Sequence, residues 1–355
     1  MAYTTIDDPS AHFHIHLYTG NNSNRSETND ANAGDFRPDW VWIKARSETK
    51  AGRIFDSSRG ATKVMYPSAT NSEATTATSL TSFDSDGFSL GSSDGINKNT
   101  ITYVGWQWKA NGGSTTTNDA SATSVGTIDS VYQVNSTAGF SIVTHTGSGS
   151  AGNIAHGLGA VPEWVLTKNR SQAASWANYH VGAGAEYYLE LDTTDAREAG
   201  SSVWGDTTPS STTFRVGGAN TKTNSSSDNF VSYCFAPIQG YSKFGSYTGN
   251  GNADGPFVYT GFKPAWLLIK ESSGVEDWRL YDNKRSPFNV MDDQLFPNST
   301  SSEATSSSYD LDFLSNGFKL RSSHGGYNTS SDTYIYIAFA EHPFVSSKGV
   351  PVTAR

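Results

Sequence analysis

Residues 38–44 read PDWVWIK, and the same frame returns as PEWVLTK at 162–168 and PAWLLIK at 264–270. Each copy sets a proline, one free position, a tryptophan, three further residues and a lysine. Composition alone rarely brings those residue types into register three times, so the recurrence decides the architecture before any single element does.

The flanks keep step. A Thr-Gly turn precedes each window, in YTGN at 18–21, HTGS at 145–148 and YTGN at 247–250. Eighteen residues beyond each proline stands an aromatic-polar pair, Phe55-Asp56, Tyr179-His180 and Tyr281-Asp282. DGFSLGSS (86–93), TTFRVGGA (212–219) and NGFKLRSS (316–323) follow, and then the closing segments YVGWQWKA, FVSYCFAP and YIYIAFAE. The first and third copies also share SEAT, at Ser72 to Thr75 and Ser302 to Thr305.

The pattern is that of an internal triplication: repeats at 1–110, 139–238 and 239–344, with a C-terminal tail at 345–355. Residues 111–138, rich in Gly, Ser and Thr, read as a flexible linker or an extended crossover, and unit one is free to hinge if the former holds. Turn signals recur every 8 to 15 residues, and no segment of ten or more has a helical period. The expected fold is all-β, three tandem β-sandwich, jelly-roll-like units.

Composition narrows the function classes. With 34 Gly, 17 Tyr, 18 Phe and 9 Trp but only 17% charged residues, the chain suits short strands joined by polar turns. A net charge of −9 without any basic run argues against nucleic acid as a partner. One cysteine, Cys234, excludes an intrachain disulfide framework. Neither a basic-then-apolar leader nor a stretch of about 18 apolar residues occurs, so no signal peptide and no membrane insertion are expected.

Alternation assigns the window residues to faces. Trp40, Trp42 and Lys44 point one way along a strand and Val41 and Ile43 the other, and the two copies are apolar on both sides. Trp40, Trp164, Trp266 and Trp108 therefore read as core. Trp42 and Trp204 lack a tryptophan equivalent and are the candidates for an exposed platform contacting a carbohydrate or receptor.

The chemistry-bearing groups are few. His12, His14 and His16 share one strand face, and metal binding there needs rings of histidine from several chains, because neighbours on one face lie about 6.5–7 Å apart. Asp56 with Arg59 and Asp282 with Arg285 read as turn-stabilising ion pairs of small net value. Neither a GxSxG nucleophile motif nor a recurring carboxylate pair is present, so no enzyme activity and no cofactor are expected.

GFSIVTHTGSGSAGNIAHGLGAVPEWVLTKNR (139–170), FVSYCFAPIQGYSKFGSYTGNGNADGPFVYTGFKPAWLLIK (230–270) and FLSNGFKL (313–320) resemble repetitive, uncharacterised β-rich proteins of marine bacteriophages. The resemblance implies a virion structural protein, assembled in the host cytoplasm, tail-fibre or adhesin-like, homotrimeric, and in contact with other virion proteins and a host-surface glycan. A capsid decoration or head-fibre protein bound to the major capsid protein is the alternative, because the first repeat begins within about ten residues of Met1. A glycan depolymerase is the remote third.

Overall fold

Trp40–Ala45, Trp164–Asn169 and Phe262–Glu271 are strands, as β-branched and aromatic residues in a doubly buried run dictate. The computed structural model that shows them describes residues 2–30 and 36–352. The chain is all-β; the α-helices among the described residues are four residues long.

Each window strand sits third in a four-stranded antiparallel order. In unit one the order is Phe13–Thr19, Thr102–Trp108, Trp40–Ala45, Arg53–Asp56. Unit three repeats it with Ser242–Thr248, Thr333–Pro343, Phe262–Glu271 and Arg279–Asp282. In unit two Phe140–Thr146, Asn229–Phe235, Trp164–Asn169 and Ala177–His180 run in the same order inside an eight-stranded sheet. These four strands are called opening, closing, window and fourth below.

The two faces of each main sheet meet different partners. Val41 and Ile43 pack with Leu80, Phe88 and Leu90 of a small second sheet of their own unit. Val165 lies with Phe214 and Val216, and Leu267 and Ile269 with Phe318 and Leu320, in the same way. The opposite faces all enter one shared core that holds Trp40, Trp108, Trp164, Phe235, Trp266 and Phe339.

Trp108, Phe235 and Phe339 hold the same place in their closing strands, and their rings lie 6.4, 5.5 and 5.7 Å apart, each against both others. Three equivalent side chains can touch pairwise only when grouped about one line. The main sheets therefore surround a common axis with their aromatic faces inward, each such ring pair adding about 0.5–1.5 kcal/mol beyond the area it buries.

Residues 111–138 form the crossover rather than a loose linker. Ser130–Asn135 pairs with Phe140 to His145 of the opening strand of unit two, and Thr116–Asn118 pairs outside it. Gln133, only 1% exposed, donates from its side-chain amide to Ser57 Oγ at 2.8 Å and Ser58 Oγ at 2.6 Å, tying the crossover to unit one. The crossover thus joins unit one to unit two by these two hydrogen bonds as well as by the chain.

A buried asparagine fixes each Thr-Gly turn. Asn97, Asn224 and Asn328 are fully buried, and their side-chain oxygens accept from the backbone N–H of Asn21, Ser148 and Asn250, each at 2.9 Å. The turn glycines are held as tightly: a Cβ on Gly20, Gly147 or Gly249 would fall 2.2, 2.0 or 2.1 Å from a backbone carbonyl oxygen.

Candidate functional site

The polar chemistry of the chain gathers at the three seams where one unit meets the next. The window lysines, Lys44, Lys168 and Lys270, are buried and point their ammonium groups across these seams. Lys44 Nζ donates to the carbonyl oxygens of Lys50 at 2.9 Å and of Ser299 in unit three at 2.7 Å. Lys168 Nζ reaches Ala174 at 2.5 Å and Thr70 of unit one at 2.9 Å. Lys270 Nζ reaches Glu271 at 2.6 Å and Thr194 of unit two at 3.1 Å. Burial pulls all three down to about 8.

The residue that closes each fourth strand makes a second link in the cycle. Asp56 accepts from Tyr233 of unit two at 2.6 Å, and Asp282 accepts from the indole N–H of Trp106 of unit one at 3.0 Å. Each carboxylate also binds the arginine three residues on, Arg59 or Arg285, with side chains that expose no surface. The expectation was turn-stabilising ion pairs of small net value; their burial between units makes them core ion pairs, in which an unpaired partner is costly.

The shared SEAT segments extend both networks. Glu73 joins Arg59 at 3.0 Å and Arg170 of unit two at 2.9 Å. Glu303 joins Arg285 at 2.9 Å and Arg46 of unit one at 2.8 Å. Burial pushes both carboxyls up, and their two arginines more than offset it, leaving them below the ordinary glutamate range.

The seam between units two and three is built otherwise. His180 stands where the others have aspartate and donates from Nε2 to the carbonyl oxygen of Tyr336 at 3.0 Å, while its Nδ1 accepts from Gly182 N–H at 3.0 Å. Both contacts fix the neutral imidazole, and burial pulls it down to about 4. In place of Arg59 and Arg285 this seam has Ala183, and in place of the glutamates it has Arg197, whose guanidinium lies 4.3 Å over the Tyr187 ring.

Trp42 is 1% exposed and Trp204 2%, so neither offers a ring face to a ligand. Trp42 fills a seam slot that the other units fill from elsewhere. Trp176 and Trp278 follow their window tryptophans by twelve residues and donate to the preceding unit, at Tyr66 O (2.8 Å) and Glu190 O (2.9 Å). The matching position in unit one is Gly52, where a Cβ would lie 3.3 Å from Trp42 Nε1. Trp204 packs edge-on against Tyr179 inside unit two.

His12, His14 and His16 do not converge. His12 packs edge-on against Tyr241, 6.0 Å between ring centres, and lies 3.2 Å from Asn135 Nδ2. His14 is 5% exposed and pulled down to about 4 by burial, with no partner at Nε2. His16 holds Glu27 at 2.9 Å. Among the described residues no group of three His, Cys, Asp or Glu side chains is placed to hold a metal.

The exposed rings lie instead on unit three. Phe257 and Tyr259, two residues apart on one short strand, are 46% and 49% exposed, and Phe288 is 81% exposed. The alternation in FVY, exposed, buried, exposed, carries this signal in the sequence. No helix is long and apolar enough to cross a membrane, among the described residues. No curated protein matches the chain. Over residues 8–343 it matches the family described as domain of unknown function DUF7483, and it belongs to that family.

Proposed function

We propose that the protein is a non-enzymatic structural component of a bacteriophage virion, displayed on the particle surface as a tail-fibre or adhesin-like element in contact with the host. It arose by internal triplication of a jelly-roll-like sandwich unit. The observation that carries this reading is the grouping of three like sheets about one axis within one chain. That arrangement suits attachment to a partner with a threefold axis, while linked units reinforce weak contacts through avidity. Exposed Phe257 and Tyr259 supply the aromatic faces for a host-surface glycan.

The same threefold grouping favours a second reading, a capsid decoration or head-fibre protein seated over a threefold position of the major capsid protein. In either reading the protein is a homotrimer of chains that each carry a threefold grouping of units. Antibody labelling of intact particles separates the two: label on the tail supports the adhesin, label on the head shell supports decoration, and label on neither overturns both. Replacing Phe257 and Tyr259 by Ala is expected to reduce adsorption of the isolated protein to host cells at least tenfold. Unchanged adsorption removes the glycan platform. Release of reducing sugar from host polysaccharide would establish the depolymerase reading instead.

A further inference from the structure

We propose that the opening strand of unit one is a docking edge for an extended segment of a partner polypeptide, which adds to it as the crossover strand adds to unit two. The three opening strands are edge strands of their four-stranded sets, and their outer edges have three fates. In unit two the edge of Phe140–Thr146 is paired from Phe140 to His145 with Ser130–Asn135. In unit three Gly182 of unit two packs directly against the edge, since a Cβ on it would lie 3.1 Å from Gly245 O and 3.0 Å from Ser246 Cβ. In unit one a cleft of about 270 Å³ runs beside the edge, with Phe13, His14 and Ile15 on one wall and Asn283, Lys284 and Ala340 on the other.

The edge has unused hydrogen-bonding groups. Lys109 N–H donates to His12 O, and the ladder register continues from that pair, so His14, His16 and Tyr18 turn their backbone groups toward the closing strand. Phe13, Ile15 and Leu17 turn theirs outward, where no partner meets them among the described residues. A row of such groups is a template for strand addition.

The side chains match the occupied edge. FHIHLYT and FSIVTHT agree at Phe13 and Phe140, Ile15 and Ile142, and Thr19 and Thr146, all of which direct their backbone groups outward. Gln133 of the crossover strand anchors on Ser57 and Ser58. The residues matching that pair in unit three are Asn283 and Lys284, which line the cleft, and Asn283 Oδ1 is buried without a partner. An added strand with a Gln or Asn among branched apolar residues would satisfy it. Among the described residues the segment of that pattern is already paired in unit two, and the proposed occupant is a different polypeptide.

The test uses a labelled peptide of the crossover sequence, TIDSVYQVNST (127–137), titrated into the full chain and read by fluorescence anisotropy and by hydrogen exchange. Saturable binding that slows exchange at Ile15 and Leu17 is expected. Leu17→Pro removes an outward donor while leaving the ladder to the closing strand intact, and is expected to weaken binding at least tenfold. Asn283→Ala, which spares the strand, is expected to weaken it about fivefold, the effect of one hydrogen bond. The proposal is overturned by absence of saturable binding, by equal binding to both variants, by protection at Thr144 in place of Ile15, or by dimers formed through exchange of residues 116–135.

Discussion

Two seams of the molecule are closed by buried ion pairs and the third by a neutral histidine, although the backbone around them repeats. Asp56 with Arg59 and Asp282 with Arg285 each answer one buried charge with another and pass the link to a glutamate and a second arginine. His180 closes its seam with two backbone hydrogen bonds and no charge. One geometric requirement, a side chain that reaches the neighbouring closing strand, thus has two chemical solutions. They differ in what acid and mutation do to them.

Removing one partner separates them most widely. Asp56→Ala leaves Arg59 buried against fewer acceptors and is expected to lose about 3–5 kcal/mol of stability, whereas His180→Ala, with no buried charge left behind, is expected to lose about 1–3. Urea unfolding of both variants measures the difference, and equal losses would dissolve the distinction between seams.

Tryptophan exchange comes next. Trp42→Leu restores the residue found in the other two windows but leaves the slot beside Gly52 empty, for an expected loss of about 3 kcal/mol. Adding Gly52→Trp supplies the side chain in the position used by Trp176 and Trp278 and is expected to recover at least half of that loss in the same unfolding assay. No recovery would mean that the slots are not interchangeable.

Acid distinguishes the seams by the pH window of the loss, since Glu73 and Glu303, held below the ordinary glutamate range, give up stability only in more acid solution than His180 does. His180 titrates near 6.5 when unfolded and about 4 when folded, so between those values the unfolded chain binds more protons and stability falls as pH falls. The full effect is about 3 kcal/mol, shared in direction by His145 and His156, which burial also pulls to about 4. A His180→Gln variant is expected to lose part of the slope between pH 6.5 and 4 while its stability at pH 7 drops. An unchanged slope would place the proton uptake elsewhere.

Lysine substitution has the smallest spread and tests what the seams share. Lys44→Met, Lys168→Met and Lys270→Met each strip donors from buried carbonyls and are each expected to lose about 2 kcal/mol by thermal unfolding. Losses that differ several-fold would show that the three cages are not equivalent.

How much of this was legible follows from where each signal lives. The strands and the common register were readable because proline, tryptophan and lysine at fixed spacing repeat against a varied background. The seams were not, because Asp56 and Tyr233 are 177 residues apart and nothing local marks them as partners. Asn97, Asn224 and Asn328 escaped since asparagine is common in turns and only their burial sets them apart. Phe257 and Tyr259 escaped because an aromatic residue on a strand is core in most of this sequence.

By itself the sequence determined the class of structure, the strand that runs through the middle of each unit, and the packing role of Trp40, Trp108, Trp164 and Trp266. Alternation and recurrence are enough for that, since burial on two faces leaves its mark residue by residue. Only the tertiary structure decided that the inward faces share one core, that the lysines lie buried at the seams, and which edge is left unpaired among the described residues. Those properties depend on contacts between residues far apart in the chain, and their energies belong to the packed units rather than to any one of them.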